Sequence, residues 1–479
     1  MGLVLPRRGV LTTLGAAGGL SLLGGLGGLA PSASAAGISS STPKVPSRRA
    51  AAQEVKAEFL HAWNGYKQFA WGHDEVRPLS GGTNEFFVDG APIGLSIIEA
   101  LDTLYVMELD DELDAGVAWI EQNLSFDIDG DFHVFEAIIR VVGGLLAGYL
   151  ATGNTKLLAL TVDLTDRLLP AFTKSPTGMP YQYVNLRTGA VRGNTPPLAE
   201  IGTNIMEFGL LSRITGDPKY VRAAKKAYRS AIATRSSINL LATYLDVETG
   251  RPADTTDQAP NPPTDSFYEY LWGGWALLGD RDCRAWYKLL NGALTTYATE
   301  TYQGHTWYKQ VHYQSGELVG RTQSELASFY AEVLAYGGDL PLGAAYYTSW
   351  TAVLDAFPVL PEEIDYTTFE PTSKGNQFRP EYANASFDLY LKTRDPYYAT
   401  TAYQYFQGMK AHARTANGYT IIDDVTTSPM AQGDLFPAYG FAENFKYLYL
   451  TFGDSPRFDS GNFCLSTEGK VLRGLIRAR

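Results

Sequence analysis

A turn signal that recurs at a nearly constant interval is the feature of this sequence that most limits its fold. Each signal follows an apolar stretch with helical spacing, and its acid or amide residues are Asn154, Asp217, Asp280, Asp339, Asp395 and Asp454. Glycine, which precedes most of them, suits the left-handed position after a helix, and Asp or Asn suits the N-cap of the next helix. The intervals of 63, 63, 59, 56 and 59 residues each accommodate two helices and a loop.

A repeated two-helix unit predicts a closed ring of hairpins. An earlier corner at Leu109 and Asp110 brings the count to about seven. Chance is the weaker explanation, because Gly-Asp turns are common but six evenly spaced ones are not. We therefore expect an all-α fold, an (α/α)7 barrel with an inner ring, an outer ring and an axial cavity. No linker divides the chain, so residues 50–479 are predicted to form one domain.

The composition restricts the partners and metals of such a domain. The 479 residues carry a net charge of −12, which repels polyanions and argues against nucleic acid. We expect a monomer. The two cysteines, Cys283 and Cys464, and the six scattered histidines exclude a thiolate zinc site, so any metal would be a hard ion bound by oxygens. The cysteines are interpreted as small buried hydrophobes, and a disulfide between them is left open.

The N-terminus has the order of an export signal. Arg7 and Arg8 precede a glycine-rich uncharged stretch that ends near Ala33-Ser34-Ala35, a small-residue cleavage site. The paired arginines resemble a bacterial twin-arginine signal. We expect residues 1–35 to be a signal peptide, 36–49 a polar lead-in, and the protein to be secreted or periplasmic. A membrane anchor is the rival interpretation; no later segment is expected to span a bilayer.

Several acids stand inside apolar helical stretches, where an ionised group is costly unless it is paired or functional. Glu136 lies four residues before Arg140, which fits an ion pair as well as a catalytic acid. Asp265 opens DSFYEYL, where Ser266 and Glu269 also fit a capping box. The remaining candidates are Glu381, which follows Arg379-Pro380, and Glu443, which lies on an aromatic-rich helix. Thr467 and Glu468 offer oxygen ligands of the type that calcium takes.

Nine collinear segments resemble glycoside hydrolase family 47. They are GHDEVRPLSGG (72–82), IIEALDTLYVM (97–107), VFEAIIRVVGGLL (134–146), MEFGLLSRITGD (206–217), DSFYEYL (265–271), LPE (360–362), FRPEYANASFDLYLKTRD (378–395), AENFKYLYLTF (442–452) and STEG (466–469). The resemblance runs from about Trp63 to Leu472. DSFYEYL and STEG resemble the endoplasmic-reticulum degradation-enhancing mannosidase-like branch of that family.

The resemblance implies a calcium-dependent, inverting α-1,2-mannosidase that acts on mannose-containing oligosaccharides or N-glycans. It assigns catalytic positions to Glu136 as the acid, Glu381 as the base, Asp265 as an assisting group, and Glu362; these roles could be permuted. Thr467 would bind Ca²⁺. The side chains expected to line the sugar site or the water shell of the ion are Arg140, Glu200, Glu207, Arg379, Tyr439, Glu443 and Glu468.

Departures from the family pattern leave other functions open. Asn384 stands where the family has a further acid, Glu99 replaces an aspartate, Pro263 replaces an arginine, and the histidine of the ordinary trimming enzymes is missing near Ser324-Glu325. The main alternative is therefore a calcium-dependent mannose-binding protein with little turnover. An unrelated α/α-barrel sugar epimerase or lyase is a third hypothesis, which the collinear segments disfavour.

Overall fold

The computed structural model describes residues 45–477. The predicted signal peptide (1–35) and residues 36–44 of the predicted lead-in lie outside the described residues. The first helix begins at Arg48, where the Ser47 side chain accepts a hydrogen bond from Ala50 N at 3.3 Å. The described part of the lead-in thus already includes the start of a helix.

Helices dominate the described chain. They are α1 Arg48–Phe69, α2 Leu95–Val106, α3 Asp110–Asn123, α4 Val134–Glu136, α5 Gly143–Thr152, α6 Thr155–Leu168, α7 Pro170–Thr173, α8 Leu198–Gly202, α9 Ile205–Thr215, α10 Lys219–Ala233, α11 Asp265–Leu278, α12 Arg281–Tyr297, α13 Tyr330–Gly337, α14 Leu340–Ala356, α15 Glu381–Thr393, α16 Pro396–His412, α17 Tyr439–Ala442 and α18 Asn444–Phe452. A π-helical segment, Ala137–Val142, joins α4 to α5, and a 3-10 segment, Glu325–Phe329, leads into α13.

Fourteen of these helices form seven antiparallel pairs. Six pairs are consecutive in the chain: α2 with α3, α5 with α6, α9 with α10, α11 with α12, α13 with α14, and α15 with α16. The seventh joins the two ends, because α18 packs against α1. The first member of each consecutive pair and α18 form an inner ring that closes on itself through contacts between α18 and α2. The predicted (α/α)7 barrel is confirmed.

The corners between paired helices follow the predicted turn chemistry. Asn154, Asp280, Asp339 and Asp395 each cap the following helix by accepting a backbone hydrogen bond. Before Asn154, Gly153 adopts φ 76°, a left-handed conformation that glycine enters without steric cost. The prediction for Asp454 was wrong: no helix follows it among residues 45–477, because α18 pairs with the N-terminal helix instead.

The strands are short and, within residues 45–477, form nine sheets of two or three strands. They are β1 Glu75–Arg77, β2 Gly82–Asn84, β3 Asp131–His133, β4 Tyr183–Asn185, β5 Val191–Arg192, β6 Leu245–Asp246, β7 Arg251–Pro252, β8 Thr256–Asp257, β9 Thr299–Tyr302, β10 His305–Tyr308, β11 Gln310–His312, β12 Leu318–Gly320, β13 Thr322–Ser324, β14 Glu363–Asp365, β15 Glu370–Ser373, β16 Arg414–Thr415, β17 Gly418–Tyr419, β18 Ile422–Asp424, β19 Ala431–Gln432, β20 Cys464–Leu465 and β21 Val471–Arg473.

The connections give the barrel two different ends. Strands β1 to β19 lie in the long connections that enter the N-termini of inner helices, and we call this the loop end. At the opposite end, short corners join the two helices of each consecutive pair, and we call this the turn end. From the turn end, the hairpin of β20 and β21 folds back into the barrel, where Val471 N donates to Asp102 Oδ2 at 2.8 Å. The turn of this hairpin, residues 466–470, thereby reaches the buried axis.

Two expectations about buried segments change with the structure. Val134–Thr152 has the length and composition to cross a membrane, contrary to the expectation that no later segment has them. However, 89% of its most apolar window is buried inside the protein, as in the core helix of a globular domain. Cys283 and Cys464 are buried free thiols, so the open question of a disulfide is answered and the interpretation as hydrophobes is retained.

Candidate active site

The acids singled out from the sequence stand at the N-terminal ends of inner helices. Glu136 ends the short helix α4, Asp265 begins α11, Glu381 begins α15, and Glu443 directly precedes α18. All four are at most 1% exposed. The unpaired N–H groups and positive dipole of a helix start favour a carboxylate. The fold therefore gathers acids at the loop end of the axis.

Arg140 is the centre of one buried ion cluster. Its Nε donates to Glu136 Oε2 at 2.6 Å, its Nη1 donates to Glu99 Oε1 at 3.1 Å, and Glu468 Oε2 lies 3.6 Å from Nη1. Lys470 Nζ donates to Glu99 Oε2 and to the Glu99 carbonyl oxygen. Burial alone would lower the pKa of Arg140, but the three carboxylates raise it well above its usual value. Arg140 therefore stays charged.

Arg379 forms a second cluster on the opposite helix start. Its Nε and Nη2 pair with the Glu362 carboxylate at 3.0 Å, and Glu362 Oε1 also accepts from Gln377 N. Burial alone would lower the pKa of Arg379, but the charges of Glu362, Tyr439 and Glu381 raise it. Glu362 is thus held in an ion pair beside Glu381.

Tyr439 connects the two clusters. The Arg140 guanidinium lies 5.3 Å from the centre of its ring and the Arg379 guanidinium lies 6.0 Å from it. Its hydroxyl donates to the Gln377 carbonyl oxygen. Glu136 pairs with Arg140, and the charge of Glu381 is one of those that raise the pKa of Arg379, so each predicted catalytic acid interacts with an arginine that lies over this ring.

The turn of the C-terminal hairpin brings Thr467 to this group. The backbone of Thr467 hydrogen-bonds to the Tyr270 phenol, which donates to Glu207 Oε1 at 2.7 Å. Gly469 packs so tightly on the adjoining acid that a Cβ there would lie 3.0 Å from Glu443 Cγ. Burial raises the pKa of Glu207 to about 8, and nearby acids add to this while the Tyr270 hydrogen bond opposes it.

The donors around Thr467 fit a hard cation held partly through water. Among residues 45–477, Glu207 Oε2 is a buried acceptor without a hydrogen-bond partner. Thr467 is 2% exposed and carries oxygen ligands of the type Ca²⁺ takes. Over the same residues no three His, Cys, Asp or Glu side chains converge to hold a metal directly. Thr467 would therefore bind the ion itself, with the carboxylates acting through its water ligands.

Asp265 lies on the neighbouring inner helix and is fully buried. Its Oδ1 accepts from Ser266 N at 2.8 Å. The capping box considered for Ser266 and Glu269 was wrong, because Thr264 holds the N-cap position and Ser266 Oγ instead accepts from Thr203 Oγ1 at 2.9 Å. Asp265 is thus a buried carboxyl at the start of a further inner helix, α11.

Glu200 lies at the rim of the site. Its Oε1 is 3.3 Å from His133 Nε2, and its Oε2 accepts from Gln182 Nε2 at 3.0 Å. Burial alone would lower the pKa of His133, but the charges of Glu200 and Glu136 and the hydrogen bond to Glu200 raise it. Glu200 therefore belongs to the wall beside Glu136.

Sequence reasoning missed several buried groups of the site. Lys470 follows two residues after Glu468 yet was not singled out, although it supplies the second cation of the Arg140 cluster. Glu325 is fully buried. Burial raises the pKa of Tyr405 well above its usual value, and the charges of Glu325 and Glu381 add to this. Glu75 accepts from Ala438 N, and burial raises its pKa to about 7. For Glu75 the available signal was its place within GHDEVRPLSGG, whereas Lys470 and Glu325 lie outside the nine family-like segments.

Comparison with known proteins decides the family. The family model for glycosyl hydrolase family 47 matches residues 58–474. The chain belongs to this family. It is 32% identical to alpha-mannosidase I MNS5 of Arabidopsis thaliana, covering 88% of this chain and 76% of that protein. It is also 32% identical to mannosyl-oligosaccharide 1,2-alpha-mannosidase MNS1 of the same plant, covering 91% and 80%.

A solved structure supports the same fold. The alpha-1,2-mannosidase from Trichoderma reesei superposes with a TM-score of 0.80 at 24% identity, covering 90% of this chain and 99% of that one. The family 47 match encloses every site residue described above, from Glu75 to Lys470. This chain is accordingly a glycoside hydrolase.

One departure from the family 47 pattern faces away from the Arg140 cluster. Asn384, where the family has an acid, donates to Asp388 Oδ2 at 2.9 Å. Both line a cavity of about 480 Å³ between α11, α13, α15 and β20. The cavity also borders Arg394 at the C-terminal end of α15, so it opens toward the turn end. Asn384 therefore pairs with Asp388 in the wall of this cavity.

Proposed function

We propose that this family 47 hydrolase is an inverting α-1,2-mannosidase that removes terminal mannose from oligosaccharides or N-glycans with the help of Ca²⁺. The supporting observation is that two buried carboxyls, Glu136 and Glu381, each interact with an arginine, Arg140 or Arg379, that lies over the Tyr439 ring. The Arabidopsis thaliana relative MNS1 and the Trichoderma reesei enzyme are both described as 1,2-alpha-mannosidases. The arrangement favours turnover over the alternative of a mannose-binding protein, because a lectin does not need opposed buried acids.

Inversion needs one protonated carboxyl and one carboxylate on opposite faces of the sugar. In the Arg140 cluster, Arg140 and Lys470 provide two positive charges for three carboxyls, Glu99, Glu136 and Glu468. The cluster therefore has one carboxyl more than it has cations. We assign the general acid to Glu136, because its Oε1 has no hydrogen-bond partner among residues 45–477 and would give a proton to the leaving oxygen.

Glu381 would act as the base on the opposite face of the sugar. The neighbouring Arg379 keeps its positive charge beside Glu381. The Glu381 carboxylate would take a proton from the attacking water, with Asp265 assisting. When bound at Thr467, Ca²⁺ would supply a Lewis acid for the sugar hydroxyls. The carboxylates of Glu207 and Glu443 would orient its water ligands.

Incubation of the purified protein with α-1,2-mannobiose tests this function. We expect release of mannose, loss of the activity on chelation, and recovery with Ca²⁺. Binding of mannobiose without release would contradict the proposal and favour the mannose-binding alternative. Release that a chelator leaves unchanged would contradict the calcium dependence.

The metal position is tested by Thr467→Val, which keeps the side-chain shape but removes the hydroxyl. We expect calcium affinity, measured by calorimetry, to fall at least about tenfold, since even indirect metal partners contribute this much. The control is Thr348→Val on the exposed face of the outer helix α14. Equal calcium affinities in the two variants would place the ion elsewhere.

We further propose that the enzyme is exported through the signal at residues 1–35 and acts as a monomer. DSFYEYL and STEG support placing it near the endoplasmic-reticulum degradation-enhancing branch of family 47. The cleavage site is tested by N-terminal sequencing of protein recovered outside the cell, and the oligomeric state by light scattering.

A further inference from the structure

A three-stranded sheet at the loop end is joined directly to the segment that carries Glu136. Its strands β3, β4 and β5 pair antiparallel, with His133 opposite Tyr183 and Tyr183 opposite Arg192. Val134 N, at the start of α4, donates to the Gln182 carbonyl oxygen at 2.8 Å. The position of the sheet is thus fixed relative to Glu136, three residues after His133.

The paired residues form a continuous polar and aromatic strip. The Arg192 guanidinium lies 3.8 Å from the centre of the Tyr183 ring, and its Nε donates to Asp131 Oδ2 at 2.6 Å. The Tyr183 ring meets the His133 ring edge to face at 4.9 Å. The Arg192 side chain is 57% exposed, whereas His133 is 13% exposed. The strip therefore runs from solvent toward the buried acid.

Glu200 and Gln182 complete the inner end of the strip. Glu200 contacts His133 with one oxygen and Gln182 with the other. Imidazole, amide and carboxylate groups in one place can both donate and accept, as sugar hydroxyls require. The flat, salt-bridged Arg192 adds N–H donors in a fixed plane, and the Tyr183 ring adds an apolar surface. This chemistry suits a carbohydrate.

We propose that His133, Tyr183, Gln182, Arg192 and Glu200, here called the rim strip, bind the sugar residues on the leaving side of the cleaved bond. The inference rests on the proposed function. If Glu136 gives its proton to the glycosidic oxygen, the leaving sugar lies beside Glu136 by geometry. The rim strip is the surface that continues outward from that point, and longer oligosaccharides extend along it.

The test compares α-1,2-mannobiose with a high-mannose oligosaccharide of eight or nine mannoses. In Arg192→Ala and in Tyr183→Ala, we expect the ratio of kcat/KM for the oligosaccharide to that for mannobiose to fall about fivefold, mainly through KM. This is the size of one or two lost polar contacts. Binding of the oligosaccharide, measured by calorimetry, should weaken by a similar factor.

The matched control is Arg187→Ala, in the turn that joins β4 and β5. Arg187 is also exposed and salt-bridged, to Asp127 at 3.0 Å, but it lies beyond the far end of β4 from His133. An unchanged substrate ratio and unchanged oligosaccharide binding in Arg192→Ala, or equal effects in Arg187→Ala, would overturn the proposal. If the wild type releases no mannose, the proposed function fails, and the calorimetry still shows whether the rim strip binds the oligosaccharide.

Discussion

Glu136→Gln is expected to lower kcat for α-1,2-mannobiose by about 10³-fold, within the range that general acid catalysis contributes. Glutamine keeps the shape of the side chain but cannot give up a proton. Substrate binding should persist, because Arg140 and Tyr439 remain in place. The measurement is steady-state hydrolysis, with circular dichroism to verify that the variant is folded.

Two comparisons make this result specific to the acid role. Glu58→Gln alters another buried glutamate, which accepts from Arg414 Nε at 2.7 Å far from the axis, and should leave kcat unchanged. With a dinitrophenyl α-mannoside, whose leaving group needs no proton, Glu136→Gln should recover most of its rate, whereas Glu381→Gln should not. Full activity of Glu136→Gln on mannobiose, or an equal loss on both substrates, contradicts the assignment.

Arg140→Met is expected to lower the free energy of unfolding by roughly 3–5 kcal/mol, as when one partner of a buried ion cluster is removed. Because methionine is similar in length to arginine, the expected loss of stability comes from removal of the positive charge. The cluster would then hold one cation, Lys470, beside the carboxyls of Glu136, Glu99 and Glu468, and all four groups are at most 1% exposed. Differential scanning calorimetry of the purified variants measures the effect as a lower Tm.

Arg187→Met is the control for this loss of stability. Its ion pair with Asp127 is exposed on both sides, and such pairs contribute up to about 1 kcal/mol. The loss of stability in Arg140→Met should also shrink as the pH falls, because Glu99, whose pKa is raised by burial, can then take up a proton. Equal Tm values for the two variants would show that the Arg140 cluster does not stabilise the fold.

The local parts of the fold were predictable from the sequence. The capping of Asn154, Asp280, Asp339 and Asp395 depends on neighbouring residues only, so the corners could be placed before the structure was known. The pair of Glu136 and Arg140 follows in the same way from its helical spacing. By contrast, Asp454 was misassigned because the last inner helix pairs with α1, a contact between the two ends of the chain.

The site was predictable where the family resemblance supplied long-range information. Tyr439 and Thr467 lie far along the chain from Glu136, and no local pattern places them together. Lys470 was missed for this reason, since its partner Glu99 is 371 residues away. Apart from Glu200, the rim strip was missed because its strands are only two or three residues long, too short for an alternating pattern to be recognised.

The anomeric form of the released mannose tests the central claim most directly. An acid and a base that stand on opposite faces of one sugar, with room for a water between them, invert its configuration. Proton NMR of α-1,2-mannobiose during the first minutes of hydrolysis should show β-mannose appearing first and α-mannose only later, by mutarotation. If α-mannose is the first product, Glu136 and Glu381 do not act as opposed acid and base, and the account is wrong.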